Sequence, residues 1–341
     1  MAKRDAYFDF IKGILILLVL LGHAIQYGSG MQYLEEGIYW ENIIMKGIYS
    51  FHMPLFILIS GYFLYFSFSK HGIVKTSISR WKKLLLPITT WVPIVILFSV
   101  VFDNGAVSIK GVIRTFLSNF WFLWAVLFCS TLLAIGESLS RKWKIAFYII
   151  IQILFLIVPD ILWAHAYKFV FPFFLTGYYF AKKDMLKKLV NKRVTIISTV
   201  VWLVLLCFYS KESYIYTTGY TLFKKADGFI WYRQLGINIY RMLVGLTGCI
   251  AWLSTLKLVW NKSEKRGGIS QICTVWIGKH SIAIYILSTY SFTYLLPAIC
   301  KNMKPNLVLW LVETSAMAIV CSGFTYLINK CKILSKCLIG E

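Results

Sequence analysis

The sequence predicts an all-α protein, a polytopic membrane helix bundle of about ten transmembrane helices with both termini cytoplasmic. Three observations carry this prediction. Of the 341 residues, 59% are hydrophobic and only 15% are charged, much less charge than a soluble domain of this length carries. The apolar residues fall into runs of membrane-spanning length, and the basic residues collect between alternate runs. We therefore expect residues 1–341 to form a single integral-membrane domain.

Ten apolar runs can be read along the chain. Their approximate bounds are 8–26, 43–66, 84–102, 117–136, 145–159, 166–181, 194–209, 236–256, 273–298 and 306–328. The fifth and sixth runs are short, which is typical of tilted or re-entrant segments. The first run is too long for a cleavable signal and lacks a small-residue cleavage site, so we expect it to be a retained span. An even number of spans places both termini on one side.

The distribution of Lys and Arg predicts which side that is. One set of connecting segments contains 23 basic residues and comprises 1–7, 69–83, 137–144, 182–193, 257–270 and 329–341. The opposite set contains 8 and comprises 27–42, 103–116, 160–165, 210–235 and 299–305. The positive-inside rule makes the first set cytoplasmic. The net charge of +22 therefore reflects topology, and we predict no nucleic-acid partner.

The eight cysteines lie almost wholly in apolar runs or in predicted cytoplasmic segments. Their spacing matches neither a disulfide framework nor a metal site. No cluster of acidic residues and histidines has ligand spacing either. We therefore predict that the protein holds no metal, and that an intramembrane metalloenzyme is the weakest of the functional alternatives.

The first apolar run carries three ionisable residues on one helical face. Lys12 and His23 are eleven positions apart, close to three helical turns, so both project from the same face with ~16 Å of rise between them. Asp9 precedes Lys12 by three positions and can pair with it along that face. Lipid cannot solvate such groups, and an ionisable residue inside a membrane costs about 2.5–3.5 kcal/mol on insertion scales. This stripe is the strongest indication of a functional site.

The second run contains His52, two positions before Pro54. His52 lies about nine residues from the predicted outer end of its span, which is roughly the depth of His23. Pro54 interrupts the helical hydrogen-bond ladder and can turn backbone polar groups towards a cavity. Two histidines at similar depth indicate a buried polar pocket. The alternative is that each is a core histidine bonded to a backbone carbonyl.

Three cations stand within four residues at the predicted cytoplasmic end of the third run, namely Arg80, Lys82 and Lys83. A cluster of this kind suits a ligand that carries phosphate, because arginine offers a bidentate fork and lysine a point charge. The alternatives are a topology signal or binding to anionic lipid. The longest predicted outer segment, 210–235, is rich in Tyr and Trp, which can either mark the membrane interface or stack on sugar rings.

Five stretches in order carry a resemblance to a known family. They are Asp9-x-x-Lys12-Gly13 with His23, Phe51-His52-Met53-Pro54-Leu55-Phe56, Arg80-x-x-Lys83 with Pro87, Trp121-Phe122-Leu123-Trp124 and the run from Ile277 to Tyr285. Together they resemble the acyltransferase-3 family of integral-membrane O-acyltransferases, in the branch of fucose 4-O-acetylase-like and polysaccharide O-acetyltransferases. The sequence departs from that pattern with Lys12 and Lys83, where relatives often carry Arg, and with Ser288, where they often carry His.

The resemblance implies an O-acetyltransferase of the inner (plasma) membrane. Its donor would be cytoplasmic acetyl-CoA or another acyl-CoA, and its acceptor a sugar hydroxyl of a surface polysaccharide or of its lipid-linked precursor. It implies His23 as general base with His52 secondary, and a CoA phosphate site of Lys12, Arg80 and Lys83. It further implies acceptor contacts from Tyr27, Trp121 and Trp124. Membrane lipids would be the remaining partners.

One question within this assignment stays open, which is the carboxylate that would orient His23. None is obvious, and Glu35, Glu36 and Glu41 are the nearest by topology. The functional alternative is a transporter or flippase for a glycolipid or small solute, because buried ionisable residues also mark proton-coupled pathways. Against a transporter, we expect the spans after Asp9 to contain almost no carboxylates that could cycle protons.

Overall fold

The computed structural model describes residues 6–27, 39–103, 108–185, 191–223, 230–264, 268–300 and 303–341, which are helical with no strand among them. The helices are α1 Ala6–Tyr27, α2 Ile43–His71, α3 Ile73–Asp103, α4 Ile109–Ser118, α5 Trp121–Ser138, α6 Arg141–Ile157, α7 Ala164–Lys182, α8 Lys192–Cys207, α9 Ile215–Thr218, α10 Trp231–Glu264, α11 Ile269–Lys279, α12 Ser281–Tyr290, α13 Leu296–Cys300, α14 Leu307–Asn329 and α15 Lys332–Leu334. A π-helical segment, Ser291–Leu295, joins α12 to α13.

The all-α membrane architecture is confirmed. In the described part of the chain, seven helices are long and apolar enough to cross a membrane: Ala6–Tyr27, Ile43–His71, Ile73–Val101, Trp121–Ser138, Trp231–Lys262, Ser281–Cys300 and Leu307–Asn329. The three other apolar runs also form helices, α6, α7 and α8. Those helices do not meet the same requirement of length and hydropathy. The count of about ten spans and the side of the termini stay predictions.

Two predicted boundaries are wrong. Residues 69–83 are not a loop, because α2 continues to His71 and α3 begins at Ile73. Only Gly72 separates the helices, and its φ of 78° lies in the left-handed region that a residue without Cβ adopts at no steric cost. Arg80 and Lys83 therefore stand on a helix. The ninth span begins at Ser281 rather than at residue 273, since the preceding residues form the separate helix α11.

The chain folds into two compact units. The first unit comprises Met1–His52, Leu85–Asn119 and Leu253–Glu341, and the second comprises Met53–Leu84 and Phe120–Trp252. In the first unit α1 is central, since it packs against α11, α12, α14 and the π-helical segment. Apolar side chains such as Ile11, Leu15 and Leu20 are fully buried along it.

Two glycines allow α1 and α11 to approach each other closely. A Cβ on Gly13 would overlap the backbone of Thr274, and a Cβ on Gly278 would overlap the backbone of Asp9. Small residues at such crossings are typical of membrane helices, where lipid gives little hydrophobic drive and close packing must hold the helices together. This crossing fixes the end of α1 that carries Asp9 and Lys12.

Gly278→Ala is expected to destabilise the protein by about 1–3 kcal/mol, because the new methyl group must push two backbones apart. The better helix propensity of alanine, worth up to about 1 kcal/mol, offsets only part of this. Gly323→Ala on α14 is the matched control, since nothing lies within 4 Å of the added Cβ. Thermal unfolding in detergent should show a lowered midpoint for the first variant alone. Equal midpoints for both would contradict the close crossing.

The second unit contains a buried carboxylate at the C-terminal end of α5. Glu137 accepts hydrogen bonds from Lys144 and Lys182, each at 3.0 Å, and from Tyr179 at 2.9 Å. These donors come from α6 and α7, so Glu137 ties three helices together. Because its charge is balanced by two lysines, we assign it a structural role.

A second polar network in this unit holds the segment between α8 and α10. Asp160 accepts from Nζ of Lys168 at 2.8 Å and from the backbone amides of Tyr220 and Thr221 at 2.7 and 3.1 Å. Burial by itself would raise the pKa of Asp160, but these hydrogen bonds outweigh it and hold the pKa below its ordinary value. The buried Arg241 donates to several carbonyl groups of the same segment.

The aromatic residues of the predicted outer segment therefore divide into two groups. Tyr214 and Tyr220 are buried in the protein, only 1% and 5% exposed, and belong to its core. Trp231 and Tyr232 are exposed at the start of α10. Tyr216 is half-buried, so it and the exposed pair can still contact either the membrane interface or a sugar ring.

Candidate active site

His23 lies in the first unit, near the C-terminal end of α1. Its ring makes edge contacts with Tyr27 and Phe292, with centroids 5.8 Å apart in both pairs. Its Nδ1 is buried and has no hydrogen-bond partner among the described residues. A neutral imidazole with an unpaired nitrogen can accept a proton, which is what a general base requires.

His52 lies in the same unit, on α2, and is buried. Its Nδ1 is 2.7 Å from the backbone oxygen of Ile48. A carbonyl only accepts hydrogen bonds, so Nδ1 carries the proton and Nε2 presents the lone pair. The ring of Tyr49 meets that of His52 edge-on at 5.0 Å. The backbone contact is the one expected of a core histidine, yet it also leaves a fixed acceptor nitrogen.

The two histidines are brought near each other by the pairing of α1 with α2. Tyr49 donates to Oε1 of Gln26 at 3.2 Å, and Gly22 packs against the Tyr49 ring. His23 and His52 are close enough to interact electrostatically. The first unit thus holds a buried His52 with its tautomer fixed and a half-buried His23 whose buried Nδ1 has no partner among the described residues.

The π-helical segment Ser291–Leu295 passes directly beside His23, because its member Phe292 is the ring that contacts the imidazole. Such single-turn widenings are rare in helices and occur frequently at functional sites. Just before it, Tyr290 stacks on Trp91 at 5.8 Å and its hydroxyl bonds the side-chain oxygen of Asn119. The π-helical segment itself therefore contacts His23, and the residue just before it, Tyr290, contacts Asn119 at the end of α4.

Lys12 forms the predicted pair with Asp9, with Nζ and Oδ1 2.7 Å apart. Asp9 is almost completely buried, whereas part of Lys12 remains accessible. The pairing along one helical face is confirmed. Asp9 neutralises much of the Lys12 charge, so a phosphate bound by Lys12 would compete with Asp9 for the ammonium group.

Arg80 and Lys83 lie in the second unit and have different surroundings. Nη2 of Arg80 is 3.5 Å from the backbone oxygen of Ser60, and its Nη1 is buried with no partner in the described part of the chain. Lys83 is exposed, like Lys82. The structure therefore separates the predicted pair into one inward guanidinium and one outward ammonium.

The predicted acceptor residues are also divided. Tyr27 belongs to the first unit, at the histidine site, whereas Trp121 and Trp124 belong to the second. Trp121 stacks on Trp163 with centroids 6.0 Å apart and rings inclined by 27°. Trp163 was not predicted, because nothing in the sequence relates it to α5.

Carboxylates are few in the described spans after Asp9, as expected. The two present, Glu137 and Glu313, both have buried side chains. Of the three carboxylates considered for His23, Glu41 is exposed, and Glu35 and Glu36 lie outside the described residues. The signal for Glu313 was present, because it is an isolated acid within the apolar run 306–328. Among the described residues, no group of three His, Cys, Asp or Glu side chains could hold a metal ion.

These features define a class: a multi-pass helical membrane protein with two neighbouring histidines on its first two helices. The family model described as an acyltransferase domain matches residues 5–329, nearly the whole chain. The chain therefore belongs to the acyltransferase-3 family, as its motifs predicted.

Similar proteins include two nodulation proteins. The chain is 33% identical over 186 residues to nodulation protein NolL of Sinorhizobium fredii, covering 53% of this chain and 50% of that protein. It is 30% identical over 189 residues to NolL of Mesorhizobium japonicum, covering 53% and 48%. Glucans biosynthesis protein C of Escherichia coli is 31% identical over 99 residues, covering 28% and 26%. The matches thus span about half the length of the nodulation relatives. No solved structure matches the chain.

Proposed function

We propose that this protein is an O-acetyltransferase that moves an acetyl group from acetyl-CoA to a sugar hydroxyl of a surface polysaccharide or its lipid-linked precursor. Membership of the acyltransferase family supports the reaction class. A relative named for glucan biosynthesis agrees with a glycan acceptor. The observation that carries the site is the buried Nδ1 of His23, which has no partner among the described residues and lies within electrostatic range of His52.

The chemistry places His23 at the acceptor hydroxyl. The hydroxyl oxygen attacks the thioester carbonyl while His23 accepts its proton, and a tetrahedral oxyanion forms. Collapse of this intermediate breaks the carbon–sulfur bond, and the departing CoA thiolate takes the proton. A base of this kind contributes about 10²- to 10⁴-fold in rate, so positioning and oxyanion stabilisation must supply the rest.

His52 has the secondary role, that of a positioning residue for His23. With its Nδ1 proton committed to Ile48, neutral His52 can only accept through Nε2. In this role Nε2 would accept an N–H of His23 when substrate is bound, and would so direct the unprotonated nitrogen of that ring towards the substrate. The same state makes His52 unsuited to donating to an oxyanion, which requires a proton on the free nitrogen.

Among the predicted cations, Arg80 is the residue that we assign to a phosphate group of CoA. Its guanidinium has a buried nitrogen with no partner in the described residues, so an anion would satisfy a group that the fold leaves unpaired. Lys83 and Lys12 should contribute less to CoA binding, because Lys83 is exposed and Lys12 is paired with Asp9.

Arg80→Ala is expected to weaken CoA binding by about 10- to 100-fold, since a hydrogen bond between charged groups is worth about 1.5–3 kcal/mol. Lys83→Ala is the matched control on the same helix and should change affinity by less than about 5-fold, because exposed ion pairs contribute at most about 1 kcal/mol. Calorimetric titration of the purified variants with CoA measures both. Unchanged CoA affinity in Arg80→Ala would mean that the basic cluster of α3 does not bind the CoA phosphates and serves only as a positive-inside topology signal.

The proposed function is tested by mass spectrometry of the surface glycan with and without the protein. We expect loss of an acetyl increment in its absence, and turnover of acetyl-CoA by the purified protein when glycan from the deficient cells is added. The transporter alternative predicts unchanged acetyl-CoA consumption together with a lost transport activity. Glu313 is the observation that supports the transporter alternative, because a buried carboxylate can carry a proton in coupled transport.

A further inference from the structure

Glu313 on α14 is a buried carboxylate with no strong hydrogen-bond donor among the described residues. Its side chain is 3% exposed, and neither Oε1 nor Oε2 has a hydrogen-bond partner among the described residues. The Cys300 thiol lies beside it, but a thiol is a weak donor and does not satisfy a carboxylate. An unpaired buried charge is costly, so such a group persists where another function requires it.

Trp310 stands one turn earlier on the same helix. Its unsatisfied group is a hydrogen-bond donor, whereas those of Glu313 are acceptors. Trp310 is 8% exposed, and its indole Nε1 is buried with no partner in the part of the chain described. Three positions along a helix place two side chains on one face. This face therefore presents a carboxylate that only the weak thiol donor of Cys300 approaches, and an indole N–H with no partner among the described residues.

The face that carries them is directed at the helices of the histidine site. The buried residues of α14 are Trp310, Glu313, Met317, Cys321 and Thr325, spaced by three or four positions. They form a single inward stripe, and α14 packs against α1 and α12. These are the helix that carries His23 and the helix that leads into the π-helical segment.

Contacts with one helical run place Glu313 relative to His23. Phe292, whose ring contacts His23, and Cys300, whose thiol lies beside Glu313, both belong to the run Ser281–Cys300. Eight positions along a helix correspond to ~12 Å of rise. Glu313 therefore lies ~12 Å further along this run than His23, towards its C-terminal end.

We infer that Glu313 and Trp310 form an acceptor-binding subsite, which holds a hydroxyl-bearing sugar ring of the acceptor chain ~12 Å along the bundle from His23. A sugar hydroxyl donates to the carboxylate, and the same or a neighbouring hydroxyl oxygen accepts from the indole N–H. A polyhydroxylated ligand supplies both complements at once, whereas the apolar acyl chain of the donor supplies neither. This inference rests on the proposed function, since it names the substrate class of the same reaction.

The test is steady-state kinetics of purified variants, with acetyl-CoA and the surface glycan isolated from cells that lack the protein. Glu313→Gln keeps the shape but removes the charge, and should raise KM for glycan about 10-fold with KM for acetyl-CoA unchanged. Trp310→Phe should raise it about 3- to 10-fold. Thr325→Val is the control on the same stripe, because Thr325 already bonds the Cys321 carbonyl at 2.7 Å within its own helix. It should leave both KM values unchanged.

A merely structural Glu313 would give a different pattern. Glu313→Gln would then alter the unfolding temperature, while KM for glycan stayed at the wild-type value, and this result would overturn the subsite. The expected pattern is raised KM for glycan with an unfolding temperature that is equal to or above that of the wild type, because an unpaired charge has been removed. Absence of transfer by the wild-type protein is a separate outcome. It would overturn the proposed function and the subsite with it.

Discussion

His23→Ala is expected to lower kcat for acetyl transfer by about 10²- to 10⁴-fold, the contribution of a positioned general base. The variant removes the ring whose Nδ1 is buried and unpaired, and leaves Arg80 and the other cations in place. Binding of CoA should therefore be unchanged. The measurement is radiolabelled acetyl transfer under saturating donor, beside a CoA titration of the same preparation.

Comparison with His52→Ala distinguishes the general base, His23, from the positioning residue, His52. The His52→Ala variant should retain measurable turnover. Both variants need matched unfolding temperatures, because loss of the His52 bond to Ile48 removes a buried polar contact that can itself stabilise the bundle. If His23→Ala kept substantial turnover while His52→Ala had none, the two roles would be exchanged. The unpaired nitrogen of His23 would then be a packing feature of α1.

Arg241→Met is expected to lower the free energy of unfolding by at least about 3 kcal/mol, because a hydrogen bond to a charged group is worth about 1.5–3 kcal/mol and several are lost together. The guanidinium donates to the carbonyls of Glu212, Ser213, Tyr214 and Gly219 at 2.6–2.9 Å. Thermal unfolding in detergent should show the loss, and limited proteolysis should show cleavage between residues 209 and 223.

Arg233→Ala is the matched control for this network. Arg233 stands on the same helix and pairs with the side chain of Glu212, but the two side chains are 64% and 46% exposed. An exposed ion pair contributes about 0–1 kcal/mol, so the unfolding temperature should hardly move. Equal destabilisation by the two substitutions would mean that Arg241 acts through its charge alone and does not organise the segment.

The sequence by itself determined the class of the molecule and the position of its helices. Each of the ten apolar runs is mostly helical, although two of them are divided between consecutive helices, because a chain in lipid must satisfy its backbone hydrogen bonds within each segment. The Asp9–Lys12 pair was predictable for a similar reason, since the spacing of three residues along a helix fixes which side chains meet. The motifs around His23 and His52 were sufficient to indicate the family that the whole-chain match then showed.

Only the tertiary structure decided how polar groups far apart in sequence are paired or left unpaired. Tyr214 looked like an interfacial or sugar-stacking ring, yet it is buried in the segment that Arg241 holds. Arg80 and Lys83 looked equivalent, yet one faces inward and the other outward. Glu313 looked like an isolated acid in an apolar run, and its burial without a partner became visible only once the neighbouring helices were in place. Helical periodicity depends on neighbours three or four residues away, whereas hydrogen-bond satisfaction depends on which distant segments pack together, and local sequence does not specify that.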